Sequence, residues 1–186
     1  MRFLIRLIPP RGGRAPFLRS VRSLASSVML EVRNPKWTSY GALEVDVFTR
    51  SREDFGLFLA TLEPLARLEF SRDLNEAPPH KSRPDQVAEA RGCFNSERYW
   101  EAHEVLEGIW RNIGGEEKLL VQGLILLCAA LVHHQKGEDQ VALGVLRRAS
   151  KQLSYSQATY YGIDIGKTAR EAEDMIESKQ FRPIGI

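Results

Sequence analysis

Residues 99–136 read YWEAHEVLEGIWRNIGGEEKLLVQGLILLCAALVHHQK, and this stretch decides the fold of the C-terminal half. Apolar residues recur at helical spacing on both sides of Ile113-Gly114-Gly115, where the glycines close one helix before the next begins. We expect one helix over about 96–113 and another over about 116–136, made antiparallel neighbours by the short connection. On the first, Tyr99, Ala102, Leu106, Ile109, Trp110 and Ile113 share an apolar face, with His103 on its inner edge and Glu107 on its shoulder. Glu101 and Glu104 are expected to point away. On the second, Gln122, Leu126, Ala129 and His133 form a stripe. An unpaired buried polar group costs about 1–3 kcal/mol. A satisfied polar network in the hairpin is therefore expected, drawn from His103, Glu104, Glu107, Trp110, Gln122 and His133. Counting outward from the turn sets Glu107 level with Gln122, His103 level with Leu126, and His133 near Asn95-Ser96. His103 and His133 then lie about 10 Å apart, too far for one metal ion.

Working outward, Pro84 opens a helix that runs to about Phe94, and Asn95 or Ser96 caps the one after it. Beyond Gly137 a helix spans about Asp139 to Leu153, Tyr155 to Gly162 reads as loop, and Asp164 caps a last helix reaching about Lys179. Residues 85–186 are thus expected to form a five-helix bundle. Residues 76–84 hold Pro78, Pro79 and Pro84 and read as a semi-rigid linker.

Residues 1–75 alternate differently. Phe3, Ile5 and Leu7 share one strand face, and Arg2, Leu4, Arg6 and Ile8 the other. Pro9-Pro10-Arg11-Gly12-Gly13 breaks the strand, and Phe17, Val21, Leu24, Ala25 and Val28 then recur at helical spacing. Met29 to Arg33 and Leu43 to Phe48 read as strands, separated by turn signals at Asn34-Pro35 and Ser39-Tyr40-Gly41. Ser51 caps a helix carrying Phe55, Phe58, Leu59 and Leu62, Pro64 ends it, and Leu65 to Phe70 gives a fourth strand. The order strand–helix–strand–strand–helix–strand predicts a ferredoxin-like βαββαβ sandwich, so the whole chain is α+β, the sandwich followed by an all-α helical bundle.

Composition narrows the function classes. The chain has 186 residues and a net charge of +2, with 43% apolar and 27% charged residues, as expected of a soluble globular protein. Cys93 and Cys128 are too few for a disulfide scaffold and lack CxxC spacing, which fits a reducing, cytoplasmic setting. The longest apolar run, Leu124 to Val132, falls well short of the roughly 20 residues of a membrane span. Residues 1–75 carry a net charge of +4 and residues 76–186 one of −2. Six arginines and no acid precede Glu31, a composition shared with mitochondrial transit peptides; the folded strand and helix account for more of the pattern. Arg11, Arg14, Arg19 and Arg22 would give the first helix a basic face open to RNA. Phosphate-binding glycine motifs and an RNP1-like aromatic pattern are absent.

A family resemblance rests on Phe94-Asn95, on Tyr99-Trp-Glu-Ala-His103-Glu-Val-Leu-Glu107-Gly-Ile-Trp110, on Leu120-Val-Gln122-Gly123-Leu124-Ile125, on Ala129-Ala130-Leu-Val-His133 with Gly137, and on Tyr161-Gly162-Ile163-Asp164. Together these resemble the signature of the Domain of Unknown Function 309 family over about residues 88–180. The resemblance implies a small all-helical bundle and no established activity. Two positions depart from the pattern: Glu138 follows Gly137 where the family has asparagine, and Ser96-Glu97-Arg98 replaces the glycine after Phe-Asn.

The leading reading is a binding or assembly module, open to homo-oligomers through a sheet or helix face. One alternative is a metal-dependent hydrolase, with His103 and Glu107 as ligands to a divalent ion and Glu104 as a peripheral base. Another is an RNA-associated protein acting through the arginine helix.

Overall fold

A computed structural model describes residues 1–10, 12–76, 81–155 and 159–186. Residues 77–80 of the expected linker lie outside the described residues. The chain forms two compact units, Met1–Pro79 and His80–Ile186.

The first unit runs β1 (Arg2–Ile8), α1 (Arg14–Ser27), β2 (Glu31–Trp37), β3 (Leu43–Phe48), α2 (Arg52–Leu62) and β4 (Arg67–Asp73). The sheet order is β2-β3-β1-β4, each neighbouring pair antiparallel, which is the split βαβ arrangement of a ferredoxin-like sandwich. Phe3, Ile5 and Leu7 pack with Val45, Val47, Phe17, Val21 and Phe58 in one core, where the Phe3 and Phe55 rings stack at 3.9 Å. Ser51 caps α2 by accepting a hydrogen bond from the Asp54 amide. The Asn34-Pro35 pair does not end β2 as a turn would. Asn34 takes φ +52 and the register slips between Arg33 and Lys36, so a bulge absorbs the proline and the strand continues to Trp37. A second irregularity interrupts β4 opposite Arg6 and Leu7. Both edge strands are thereby poor templates for pairing with another sheet.

The second unit runs α3 (Arg83–Asn95), α4 (Tyr99–Trp110), α5 (Gly115–Gln135), α6 (Asp139–Leu153), β5 (Thr159–Tyr160), β6 (Ile163–Asp164) and α7 (Ile165–Ser178). Ser82 caps α3 with Pro84 in its first turn, and Asp164 caps α7. Within the segment read as loop, Thr159–Tyr160 and Ile163–Asp164 instead form a small hairpin. Tyr161 and Gly162 both adopt positive φ, the two-residue turn that matches strand twist. The central helix α5 packs against α4 and α6, α3 against α4, and α6 against α7. Leu124, Leu127, Cys128 and Leu131 are fully or almost fully buried, and burial pushes the Cys128 thiol well above its ordinary pKa. Among the described residues no helix is long and apolar enough to cross a membrane.

Gly123 lies at a close approach of α5 to α6: a Cβ there would stand 2.9 Å from the Leu153 side chain. Gly123→Ala is therefore expected to overpack the seam and cost about 1–3 kcal/mol, read as a lowered denaturation midpoint.

Candidate functional site

The α4–α5 hairpin holds most of the candidate residues. Lys118 Nζ lies 4.1 Å from the centroid of the Trp110 ring, so Trp110 stands level with Lys118, close to the register that counting from the turn gives. The network expected from that register does not close. Among the described residues no hydrogen bond joins His103, Glu107 and Gln122. His103 Nδ1 is 3.5 Å from Glu104 Oε1, and Glu107 is 3.5 Å from Arg111 on its own helix. The His103 ring instead stacks on Trp100, with centroids 5.3 Å apart and planes 7° from parallel. Trp100, His103, Glu107 and Trp110 form one half-buried stripe along the border of the seam. Two ring nitrogens in it, His103 Nδ1 and Trp110 Nε1, are buried without a hydrogen-bond partner among the described residues.

The polar groups that are satisfied in the interior are different ones. Glu101 does not point away; it is 4% exposed. Arg98 clamps both its carboxylate oxygens, at 2.5 and 2.6 Å. The wheel placed Glu101 outside because it assumed one buried face, whereas α4 packs against both α3 and α5. Gln135 is buried and donates to the Glu97 carbonyl at 2.9 Å, occupying the place near Asn95-Ser96 expected for His133. His133 Nδ1 instead meets Glu138 Oε2 at 2.5 Å, and His134 Nδ1 meets Asp139 Oδ1 at 2.7 Å. These consecutive pairs bridge the end of α5 to the start of α6 across Gly137, which turns at φ +80. Among the described residues no three His, Cys, Asp or Glu side chains gather as a metal-holding group, so His103 and Glu107 lack a third ligand for the hydrolase reading.

In the first unit, Arg11 lies outside the described residues. Arg19 and Arg22 are exposed on α1, while Arg14 sits 5.2 Å over the Trp37 ring. Arg14 is exposed as well, so the three described arginines of the expected basic face all lie at the surface. The sheet carries charged residues that sequence reading did not single out. Glu44 and Arg6 pair at 2.9 Å and Glu44 and Lys36 at 2.6 Å, all three almost fully buried. Tyr40 accepts from Arg6 and donates to Glu69; burial and that bond to Glu69 raise the Tyr40 pKa. Asp46 Oδ2 accepts from Arg2 and Asn34. The signal was present in the alternation: Arg2 and Arg6 on β1 share a face with Glu44 and Asp46 on β3, and antiparallel pairing sets Arg6 opposite Glu44.

Comparison with known proteins assigns the helical unit. The model of the Domain of unknown function (DUF309) family matches residues 87–145. A conserved hypothetical protein from Thermus thermophilus, known from a crystal structure, is 37% identical; the match covers 94% of that chain and 48% of this one, with a TM-score of 0.43. The helical unit belongs to the DUF309 family. An uncharacterized protein of Aquifex aeolicus is 28% identical over 96 residues, which are 51% of this chain and 29% of the relative. The chain therefore spans under a third of that relative's length.

Phe94 and Tyr99 of the DUF309 motif have packing roles here. Phe94 is fully buried and meets the Tyr99 ring edge-on at 5.0 Å. Glu97, in the stretch that replaces the family's glycine, takes φ +54 as α3 turns into α4, a conformation that favours glycine.

Glu44→Ala would leave Lys36 without its counter-ion and Arg6 without its nearest one; a loss of about 3–5 kcal/mol in urea unfolding is expected. The Glu138 carboxyl is held below its ordinary pKa by the hydrogen bond from His133. A carboxyl lowered in the folded state stabilises above its unfolded pKa, and that contribution is lost as pH falls through the folded value. Melting temperatures of the wild type and Glu138→Gln, separated at about pH 7, should converge as pH falls through the acidic range.

Proposed function

We propose that this chain is a cytoplasmic binding and assembly protein. In this reading the sandwich and the helical bundle act as two domains joined through residues 76–84. The half-buried α4 stripe of Trp100, His103, Glu107 and Trp110 is the contact surface for a protein partner. The observation that carries it is the stripe's half-buried aromatic composition. Two indoles and an imidazole line one helix face, each of them half-buried. Tryptophan combines a large apolar area with a single N–H donor, which suits it to the centre of an interface. A partner's side chains would pack on the parts of these rings that remain exposed. Cys93 and Cys128, both buried and free, agree with a reducing compartment.

Photo-crosslinking from Glu104, exposed beside His103, tests this reading. One dominant protein partner should be captured in cells and lost with Trp100→Ala. The purified partner should then lose about tenfold or more in affinity for that variant. Capture that ignores Trp100→Ala would overturn the proposal. A stoichiometric metal that disappears with His103→Ala would replace it with metal-assisted chemistry.

A further inference from the structure

Residues 179–186 leave α7 through Lys179, which reverses the chain at φ +55, and form no regular secondary structure. They are nevertheless anchored firmly. Phe181 stacks on His134 with centroids 4.5 Å apart. Arg182 pairs with Glu171 and lies 3.3 Å from Asp174. Ile184 and Ile186 are buried in the helical core. Asn95, the last residue of α3, reads both backbone groups of Ile186: its Oδ1 accepts the amide at 3.0 Å and its Nδ2 donates to the carbonyl at 3.3 Å. Arg91 Nε donates to the same carbonyl at 2.7 Å. A primary amide that pairs with an N–H and a C=O of one residue recognises an extended chain by its backbone, while alternate side-chain pockets supply selectivity. Every polar anchor named here is a side chain, so the segment is bound as a ligand would be.

We propose that Arg91, Asn95, His134 and the apolar floor under Ile184 and Ile186 form a peptide-binding groove, in which residues 181–186 act as a built-in competitor. The ligand class is an extended partner segment with aliphatic side chains at i and i+2, preceded by a basic and an aromatic residue. The groove uses none of the α4 stripe, so it stands or falls independently of that surface. A tethered competitor acts at an effective concentration in the millimolar range, so a free segment competes poorly until the tether is loosened.

The test uses the full chain and a fluorescein-labelled Phe-Arg-Pro-Ile-Gly-Ile peptide, read by anisotropy. Ile184→Ala/Ile186→Ala should bind the probe about tenfold or more tightly than wild type. Adding Asn95→Ala to that background should remove the binding. Phe181→Ala, which loosens only the ring stack, should give an intermediate gain. Binding no tighter in the double variant, or unaffected by Asn95→Ala, overturns the proposal. So does loss of the folded circular dichroism signal in the double variant, because the segment would then be part of the core rather than an occupant. A wild-type dimer in sedimentation, abolished by the Asn95 change, would replace the partner segment with the same segment of a second copy.

Discussion

Gly115 carries the chain between α4 and α5 at φ +59, a conformation that costs an L side chain about 1–2 kcal/mol. The hairpin inherits its register from that turn. Once Trp110 is level with Lys118, helix periodicity leaves no freedom about which side chains of α4 border α5. A shift of one residue would rotate α4 by about 100°, carrying Leu106 and Ile109 out of the core and Glu104 into it. The two arms differ in tolerance. On α5, Gly123 permits the close approach of Leu153 from α6, so that seam is set by backbone-to-side-chain contact. On α4 the border is made of large rings, and two of their nitrogens remain unmatched.

Much of this was legible because it is written in local periodicity. The alternation of Phe3, Ile5 and Leu7 fixes a strand face, and Ser51 and Asp164 announce helix starts through side chains the backbone needs. What escaped reading depends on tertiary neighbours. Asn34-Pro35 carries a genuine turn signal, overridden because a bulge on an edge strand accommodates both residues. Glu101 lies off the apolar stripe of α4, and only the packing of α3 against α4 encloses it. The hairpin register was readable to within a residue, but the network built on it was not. Whether His103 reaches Glu107 or stacks on Trp100 is a choice between rotamers that spacing does not encode.

The two units satisfy their charges by opposite means. In the helical unit most pairs are local: Arg98 with Glu101, Arg111 with Glu107, His133 with Glu138, His134 with Asp139. Such pairs form with the helix or its turn and, where exposed, contribute little. In the sheet the partners come from different strands, Arg6 with Glu44 and Lys36 with Glu44, and the ions are withdrawn from water. Removing one member there leaves a buried charge uncompensated, so these pairs constrain strand register more than they add net stability.

That contrast bears on where the helical unit meets other molecules. Buried polar groups are nearly always hydrogen-bonded, and this chain follows the rule at Glu101 and at the amide nitrogen of Gln135. In the helical unit it departs from the rule at Gln135 Oε1, and at His103 Nδ1 and Trp110 Nε1, seven positions apart on one helix face. An unsatisfied buried polar group costs about 1–3 kcal/mol. A hydrophobic residue of similar size would remove the cost without loss of packing. Both ring nitrogens are enclosed, so their cost falls on the stability of the folded unit, and what α4 presents outward is the half-buried rings themselves.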